Sequence, residues 1–243
     1  MITINLEERD TILFDLDGTL LRVNFDHFLK DYFKGLTNEI KDILDPQIFM
    51  NALLKGTDDM AKNNGKVTNQ EVFMKTFFSM VDVEDKEGMK ARFDHFYRVG
   101  FKKLGQGIEA DDNVVELIAY LKELGYNLAL TTNPLFPKEA ILERMKWAGL
   151  KEEDFDLITT YEIMHYSKPN INYYQEVLDN LGITADQAIM VGNDLQEDMV
   201  AGDLGISTFL VTDFLIDREE KEEFDTDWKG SMLEFKDYVE ENF

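Results

Sequence analysis

The chain has no cysteine among its 243 residues. That absence removes disulfide frameworks, Cys-ligated zinc, iron–sulfur clusters and thiol nucleophiles together. Basic residues are scarce: 25 Lys and Arg stand against 49 Asp and Glu, giving a formal net charge of −24. A surface this negative repels nucleic-acid phosphates and anionic membranes, so neither is expected as a partner. Long apolar runs are missing too; none approaches the roughly 18 residues that span a bilayer. Met1 to Asp10 carries Glu7, Glu8 and Asp10 and no cationic start, unlike a secretory signal or transit peptide. A cytoplasmic location is the expectation. Histidine is rare, with three residues, and His95 and His165 stand in no constellation that suggests chemistry; they read as structural or surface residues.

What is present is an ordinary globular composition, 44% hydrophobic. Length gives a prior of about 1.6 domains. Thr11-Ile-Leu-Phe-Asp15 is a short apolar run ended by Asp-Leu-Asp-Gly, the pattern of a buried strand followed by a turn. From Phe25 the period changes. Phe25, Phe28, Leu29, Tyr32, Phe33 and Leu36 fall on one helical face. Pro46 can open a second helix. Thr68 with Glu71 forms a possible capping box for a third, and Met89, Phe93, Phe96, Gly100 and Phe101 suggest a fourth. Ten of the 18 Phe lie in this helical stretch, enough to suggest a small core of its own. Beyond it, strands and helices alternate: helix 113–124, strand 126–131, helix 138–148, strand 155–159, helix 171–181, strand 188–191, helix 197–204 and a last strand 207–211. Trp228, Met232, Phe235 and Val239 form the stripe of a closing helix, and Asp217 to Glu223 reads as a solvated charged surface.

Strand–helix alternation implies an α/β fold, a Rossmann-like parallel sheet with helices on both faces. The expected division is a discontinuous α/β domain, 1–21 plus 108–243, with an all-helical insert at 22–107. Ligands in open α/β sheets bind beyond the carboxyl ends of the strands. An insert leaving and returning at the end of the first strand is placed to cover such a site.

Four segments follow strands or lie in loops on that same edge. Asp15-Leu16-Asp17-Gly18-Thr19 brings two carboxylates together, a repulsive pair unless a cation sits between them. Asp and Gly also make plain turns, but a turn needs no two acids beside a buried strand. Thr131-Thr132-Asn133-Pro134 offers hydroxyl and amide donors to an oxyanion, or simply ends a strand. Lys168, before Pro169, could hold a phosphate as a point charge or be a surface lysine. Gly192-Asn193-Asp194, with Asp198 four residues on, offers hard oxygens suited to Mg²⁺. Its plainer reading is a helix cap with first-turn acids.

Taken in order, the four segments resemble the motifs of the haloacid dehalogenase-like superfamily of hydrolases, in the phosphatase form with a helical cap of the C1 type after the first motif. The resemblance covers the whole α/β portion; the cap matches in place, size and helical character only. It implies a Mg²⁺-dependent phosphatase, a phosphoric monoester hydrolase acting on a small phosphorylated metabolite through an aspartyl-phosphate. Asp15 would be the nucleophile and Asp17 the general acid/base. Thr132 and the Asn133 N–H would donate to phosphate. Lys168 would offset charge on the phosphoryl oxygens and on Asp15. Asp15, the Asp17 carbonyl and Asp194 would hold Mg²⁺, with Asp198 in support.

Four ionised acids bring about −4 and a phosphate monoester about −2 more, so Mg²⁺ and Lys168, about +3 together, would be needed for an anion to enter. Two departures from the family pattern stand out. Asn193 stands where Gly usually precedes the metal-binding Asp; aligning Asp194 with that ligand keeps the second Asp four residues on, and Asn193 could still offer an oxygen to the metal or its waters. Leu20-Leu21-Arg22-Val23-Asn24 replaces the Asp-Ser that many members, including the phosphoglycolate type, carry after the first motif.

A phosphomutase or phosphotransferase could use the same residues. A non-catalytic phosphoacceptor or binding protein is the rival from another class, but receiver domains lack a cap and are about half this length. Dehalogenase chemistry would leave Asp17 and Asp194 unemployed. Arg22, Asn24, Asp26 and His27, where the chain enters the insert, could face substrate or form a polar hinge. The sequence does not name the substrate or the oligomeric state.

Overall fold

The computed structural model describes residues 9–218 and 225–242. The reading of Met1 to Asp10 as a non-targeting start therefore falls mostly outside the described residues, as does most of the charged stretch Asp217 to Glu223. Among the described residues no helix is long and apolar enough to cross a membrane.

A six-stranded, wholly parallel sheet organises the chain: β1 (Thr11–Phe14), β2 (Asn127–Leu130), β3 (Leu157–Ile158), β4 (Ala188–Gly192), β5 (Ser207–Val211) and β6 (Trp228–Gly230), in the order β3-β2-β1-β4-β5-β6. The chain builds outward from β1 through β2 to β3. It then crosses to the other side of β1 to lay down β4. The crevice at that reversal lies off the carboxyl end of β1, the switch point at which such sheets bind ligands.

Strand alternation divides the core between two faces. Ile12, Phe14, Leu128, Leu130, Ile189 and Val191 join one cluster, with α5 (Asp112–Glu123), α6 (Lys138–Trp147) and α8 (Met232–Asn242). Leu13, Ala129, Ala188 and Met190 join the other, packed on α7 (Ile171–Leu181).

Four helices stand between β1 and α5: α1 (Phe25–Ile40), α2 (Pro46–Ala61), α3 (Asn69–Met80) and α4 (Lys86–His95). Their starts follow the expected chemistry. Asn24 accepts from the His27 N–H, Asp45 caps α2 with Pro46 in its first turn, and Thr68 and Glu71 close a reciprocal capping box. A π-turn and a 3₁₀ turn carry α4 on to Gly105. The aromatic core of these helices is not separate, contrary to the sequence reading. Phe28 meets Phe136 tilted and Trp147 edge-on, with centroids at 6.3 and 6.1 Å, and Phe101 stacks on Trp147 at 5.4 Å. The insert starts and ends beside α6, so its apolar face merges with the sheet face that α6 covers.

Three other expectations need correction. Residues 197–204 do not form an α-helix; turns lead into a 3₁₀ helix, Met199–Leu204, and Gly202 and Gly205 give it little chance to extend. Ser207–Val211 is not the last strand, because Trp228 lies in β6 and not on the closing helix. The third strand has two residues, not five.

Candidate active site

β1 ends at Phe14, and the Asp15 N–H continues the ladder by donating to the Val191 carbonyl at 2.9 Å. Asp15 is thereby fixed at the carboxyl end of the central strand. The chain then turns tightly, with Gly18 N–H on the Leu21 carbonyl and Leu21 N–H on the Leu16 carbonyl, each at 2.8 Å. Gly18 has φ +89°, and a Cβ there would lie 2.4 Å from Asn193 Nδ2. Only glycine fits this turn without strain.

Asn193 locks the same loop. Its Oδ1 accepts from the Thr19 hydroxyl at 3.0 Å, and its Nδ2 donates to the Phe214 carbonyl at 2.7 Å. Its side chain thus joins the first and fourth motifs. Asp194 has different partners: its carboxylate caps the Gln196 and Glu197 N–H groups at 3.1 and 2.9 Å and pairs with Arg218 at 2.6 Å.

Lys168 reaches this edge from the loop after β3. Its Nζ lies 3.0 Å from Asp15 and 2.5 Å from Asp198, and it is almost wholly buried. The second oxygen of Asp198 accepts the Asp194 N–H at 2.9 Å. Gly192 makes room for it, since a Cβ there would lie 2.1 Å from that oxygen. One ammonium thus serves two buried carboxylates, one too few. Burial pushes the Asp15 carboxyl up to about 6 and that of Asp198 to about 7, against the attraction of Lys168. Burial alone would lower Lys168, but the two acids hold it well above the ordinary lysine range.

Asp17 pairs with Arg144 of α6. Burial raises its carboxyl, and the arginine offsets part of that rise. Thr132 and Asn133 follow β2. Thr132 is buried, and its carbonyl accepts from the Thr159 and Tyr173 hydroxyls at 2.7 and 3.0 Å. Asn133 Nδ2 donates to Glu197 at 3.0 Å. Burial and the nearby Asp194 charge push the Glu197 carboxyl up to about 7.

Asp15, Asp17, Thr132, Asn133, Asp194 and Asp198 all line one cavity of about 140 Å³. Lys168 does not line it, but pairs with two residues that do, Asp15 and Asp198. The residues at the start of the insert do other work. Arg22 pairs with Asp213 and Asp111 at 3.2 and 3.5 Å, and Asn24 and His27 form the α1 cap; the Asp26 side chain is outside the described set. His95 and His165 pair with Glu39 and Glu176, each at 2.7 Å.

Arg144, Glu197 and Arg218 line the cavity too, and the sequence reading missed them. Arg144 could have been found. With Ala140, Ile141, Met145 and Ala148 it falls on the apolar stripe of a helix, and a cation on such a stripe demands a buried partner. Glu197 gave a fainter signal, as an acid between Asp194 and Asp198. Arg218 gave none.

Among the described residues, no three His, Asp or Glu side chains are gathered as a metal cluster. Mg²⁺ does not require one, because it keeps several waters and takes one or two carboxylates with the substrate. The donor set on this edge is hard oxygen throughout. Asp17 Oδ1 and Asn133 Oδ1 are buried acceptors without a partner, which suits a hydrated cation. The residues present fit Mg²⁺.

A family model for haloacid dehalogenase-like hydrolases matches residues 9–203. The pyrophosphatase PpaX of Halalkalibacterium halodurans is 26% identical over 96% of this chain and 97% of its own. The glyceraldehyde 3-phosphate phosphatase of Methanothermobacter thermautotrophicus is 31% identical over 44% of this chain and 46% of its own. Among solved structures, the HAD-hydrolase YfnB of Bacillus subtilis, bound to magnesium, superposes with a TM-score of 0.56 at 20% identity. That match covers 97% of this chain and 99% of the other.

Proposed function

From the premise that this chain belongs to the haloacid dehalogenase-like hydrolases, we propose that it is a Mg²⁺-dependent phosphatase, hydrolysing a small phosphorylated metabolite through an aspartyl-phosphate on Asp15. One observation carries the reading. Asp15 and Asp17 share a cavity at the sheet's switch point, Asp15 held by the buried Lys168 that it shares with Asp198, and Asp17 by the buried Arg144. Relatives named for pyrophosphatase and glyceraldehyde 3-phosphate phosphatase activity support phosphoryl chemistry.

The residues divide the work. Lys168 holds one Asp15 oxygen and favours its ionised form, leaving the other oxygen to attack phosphorus in line. The new Asp15–phosphorus bond forms as the bond to the leaving oxygen breaks. Asp17 gives its proton to that oxygen, then takes one from the water that cleaves the acyl phosphate. The Thr132 hydroxyl and Asn133 N–H would donate to the phosphoryl oxygens, whose charge must be met by fixed dipoles. Asp198 keeps Lys168 in place. Asp15, the Asp17 carbonyl and Asp194 would hold Mg²⁺. When bound, it neutralises charge between the carboxylates and the phosphoryl group and helps to fix the in-line geometry.

We read residues 22–107 as a cap over the core formed by 1–21 and 108–243. Phe25 from α1 lines the cavity beside the acids, so the insert limits what reaches Asp15. A closed site favours small substrates.

The test is phosphate release from a panel of small phosphate esters and diphosphate, with Mg²⁺ or with EDTA, wild type beside Asp15→Asn. Release that needs Mg²⁺ and vanishes in the variant is expected. Near-normal turnover by a folded Asp15→Asn protein would overturn the nucleophile assignment.

A further inference from the structure

A helix leaves its first N–H groups without partners of its own. At the start of α3 the Asn69 N–H donates to the Met164 carbonyl and the Gln70 N–H to the Tyr161 carbonyl, each at 2.8 Å. Both acceptors lie in the loop between β3 and α7, the loop that carries Lys168. The insert is thus hydrogen-bonded to the α/β part far along the chain from its own two ends.

The Asn69 side chain extends this joint, and it is wholly buried. Its Nδ2 faces three acceptors: the Ser167 hydroxyl at 3.1 Å, the Pro134 carbonyl at 3.2 Å and the Tyr166 carbonyl at 3.3 Å. Its Oδ1 accepts from Asn63 Nδ2 at 2.9 Å, which fixes the orientation of the amide. The Ser167 hydroxyl in turn donates to the Met60 carbonyl of α2 at 3.4 Å. Pro134 follows Asn133, and Ser167 precedes Lys168. One amide therefore bridges the loop after β2 to the loop after β3, and these loops carry the proposed phosphate donors and the lysine. Nearer the cavity the same loops meet again, where Asn133 Nδ2 donates to the Lys168 carbonyl at 3.4 Å. An apolar side chain would seat the insert without burying an amide. A buried amide whose groups are all bonded fixes one arrangement of its partners.

We infer that Asn69 is a positioning residue: from the insert, it sets the spacing between Thr132–Asn133 and Lys168, so that the site is complete only with the insert seated. Asn69 does not line the cavity of the acids and acts through the two loops. The inference rests on the phosphatase reading, under which both loops must meet one phosphoryl group. A misplacement of about 1 Å in such groups can cost about 100-fold in rate.

The experiment compares wild type with Asn69→Leu, which keeps the bulk and removes the amide, and with Asp45→Ala, which removes the α2 cap and weakens the insert away from this joint. Turnover of p-nitrophenyl phosphate in excess Mg²⁺ gives kcat and KM per folded molecule. Acetylation of Lys168 by acetic anhydride, followed by mass spectrometry in EDTA without substrate, reports the seating of the lysine independently of turnover. In Asn69→Leu, kcat should fall at least about 10-fold while KM changes less than about 3-fold. Lys168 should be acetylated at least about 10-fold faster. Asp45→Ala should melt at a lower temperature and keep all three values within about 3-fold of wild type. If Asn69→Leu fails to fold, Ser167→Ala, which removes the link beside Lys168, decides by a change of at least about 3-fold in both kcat and acetylation. An unchanged kcat or an unchanged acetylation rate in Asn69→Leu, or equal changes in Asp45→Ala, would mean that Asn69 only fastens the insert, and the inference would be wrong. A wild type that turns over neither p-nitrophenyl phosphate nor any ester of the panel would remove the phosphatase reading. Acetylation alone would then judge the tie, a faster rate in Asn69→Leu supporting it and an unchanged rate overturning it.

Discussion

Lys168→Met separates the role of the shared cation from that of the acids around it. Lys168 touches Asp15 at 3.0 Å and Asp198 at 2.5 Å, and the side chains are 1%, 13% and 1% exposed. Methionine keeps most of the bulk and deletes the charge. Removing one partner of a buried ion pair costs about 3–5 kcal/mol because a charge is left uncompensated. Here the penalty should depend on pH. A carboxyl raised in the folded state keeps a proton that the unfolded chain has released, so stability falls as pH rises from the unfolded value toward the folded one. In wild type that fall ends near 6 for Asp15 and near 7 for Asp198. Without the lysine both carboxyls keep their protons to higher pH. The variant and wild type should therefore differ little at pH 5 and diverge above pH 6, by about 1.4 kcal/mol per pH unit for each extra proton retained. By about pH 8 the gap reaches the 3–5 kcal/mol range. Urea unfolding followed by circular dichroism at pH 5, 6.5 and 8, in EDTA, measures it. A penalty independent of pH, or one below about 1 kcal/mol at pH 8, would refute the claim that one cation serves both acids.

Asp194→Ala should raise the Mg²⁺ concentration needed for half-maximal activity at least 10-fold, about 1.4 kcal/mol. If only Asn193→Ala did so, the metal carboxylate assignment would be displaced by one residue. Gly192→Ala should displace the Asp198 carboxylate, because the new Cβ would lie 2.1 Å from it; an overpacking loss of about 1–3 kcal/mol in urea unfolding and reduced turnover are expected, and wild-type stability would contradict the close approach. Mg²⁺ should raise the melting temperature more at pH 8 than at pH 5. At pH 5 the Asp15, Asp198 and Glu197 carboxyls, raised to about 6, 7 and 7, still hold protons that oppose the cation. Equal shifts at both pH values would show that no titrating group is linked to the metal.

The features legible in the sequence are those that repeat along it. The run 11–14 beside two acids marked the central strand and the end at which the candidate site lies, because a buried strand has no structural use for Asp15 and Asp17. Helices with side-chain caps were legible for the same local reason, as the Thr68–Glu71 box shows. Strand β6 was not. Trp228 stands four residues before Met232 and mimics a helical stripe, yet it pairs with Phe209 across the sheet. A three-residue edge strand is fixed by its neighbour and has no period of its own. Lys168 was weak alone, since nothing local distinguishes a buried lysine from a surface one. Its meaning comes from Asp15 and Asp198, 153 and 30 residues away.

The site's charge balance was the least legible part, and the reason is physical. Simple counting set four acids against Lys168 and a metal and left the balance to Mg²⁺. The structure recruits two more cations: Arg144 from a helix that otherwise packs apolar side chains, and Arg218 from beyond the last predicted strand. Arg144 neutralises Asp17, and Arg218 faces Asp194. Part of the charge that the count left to a metal is therefore met by the protein, while Asp15 and Asp198 share Lys168, and Asp194 and Glu197 share Arg218. A cation at the proposed site would compete for the Asp194 carboxylate now held by Arg218, so the proposed metal site and the Arg218 pair would be alternatives for one set of oxygens. Replacing Arg218 by Gln should tighten Mg²⁺ binding if that competition is real. Weaker binding would show that the arginine helps to build the site.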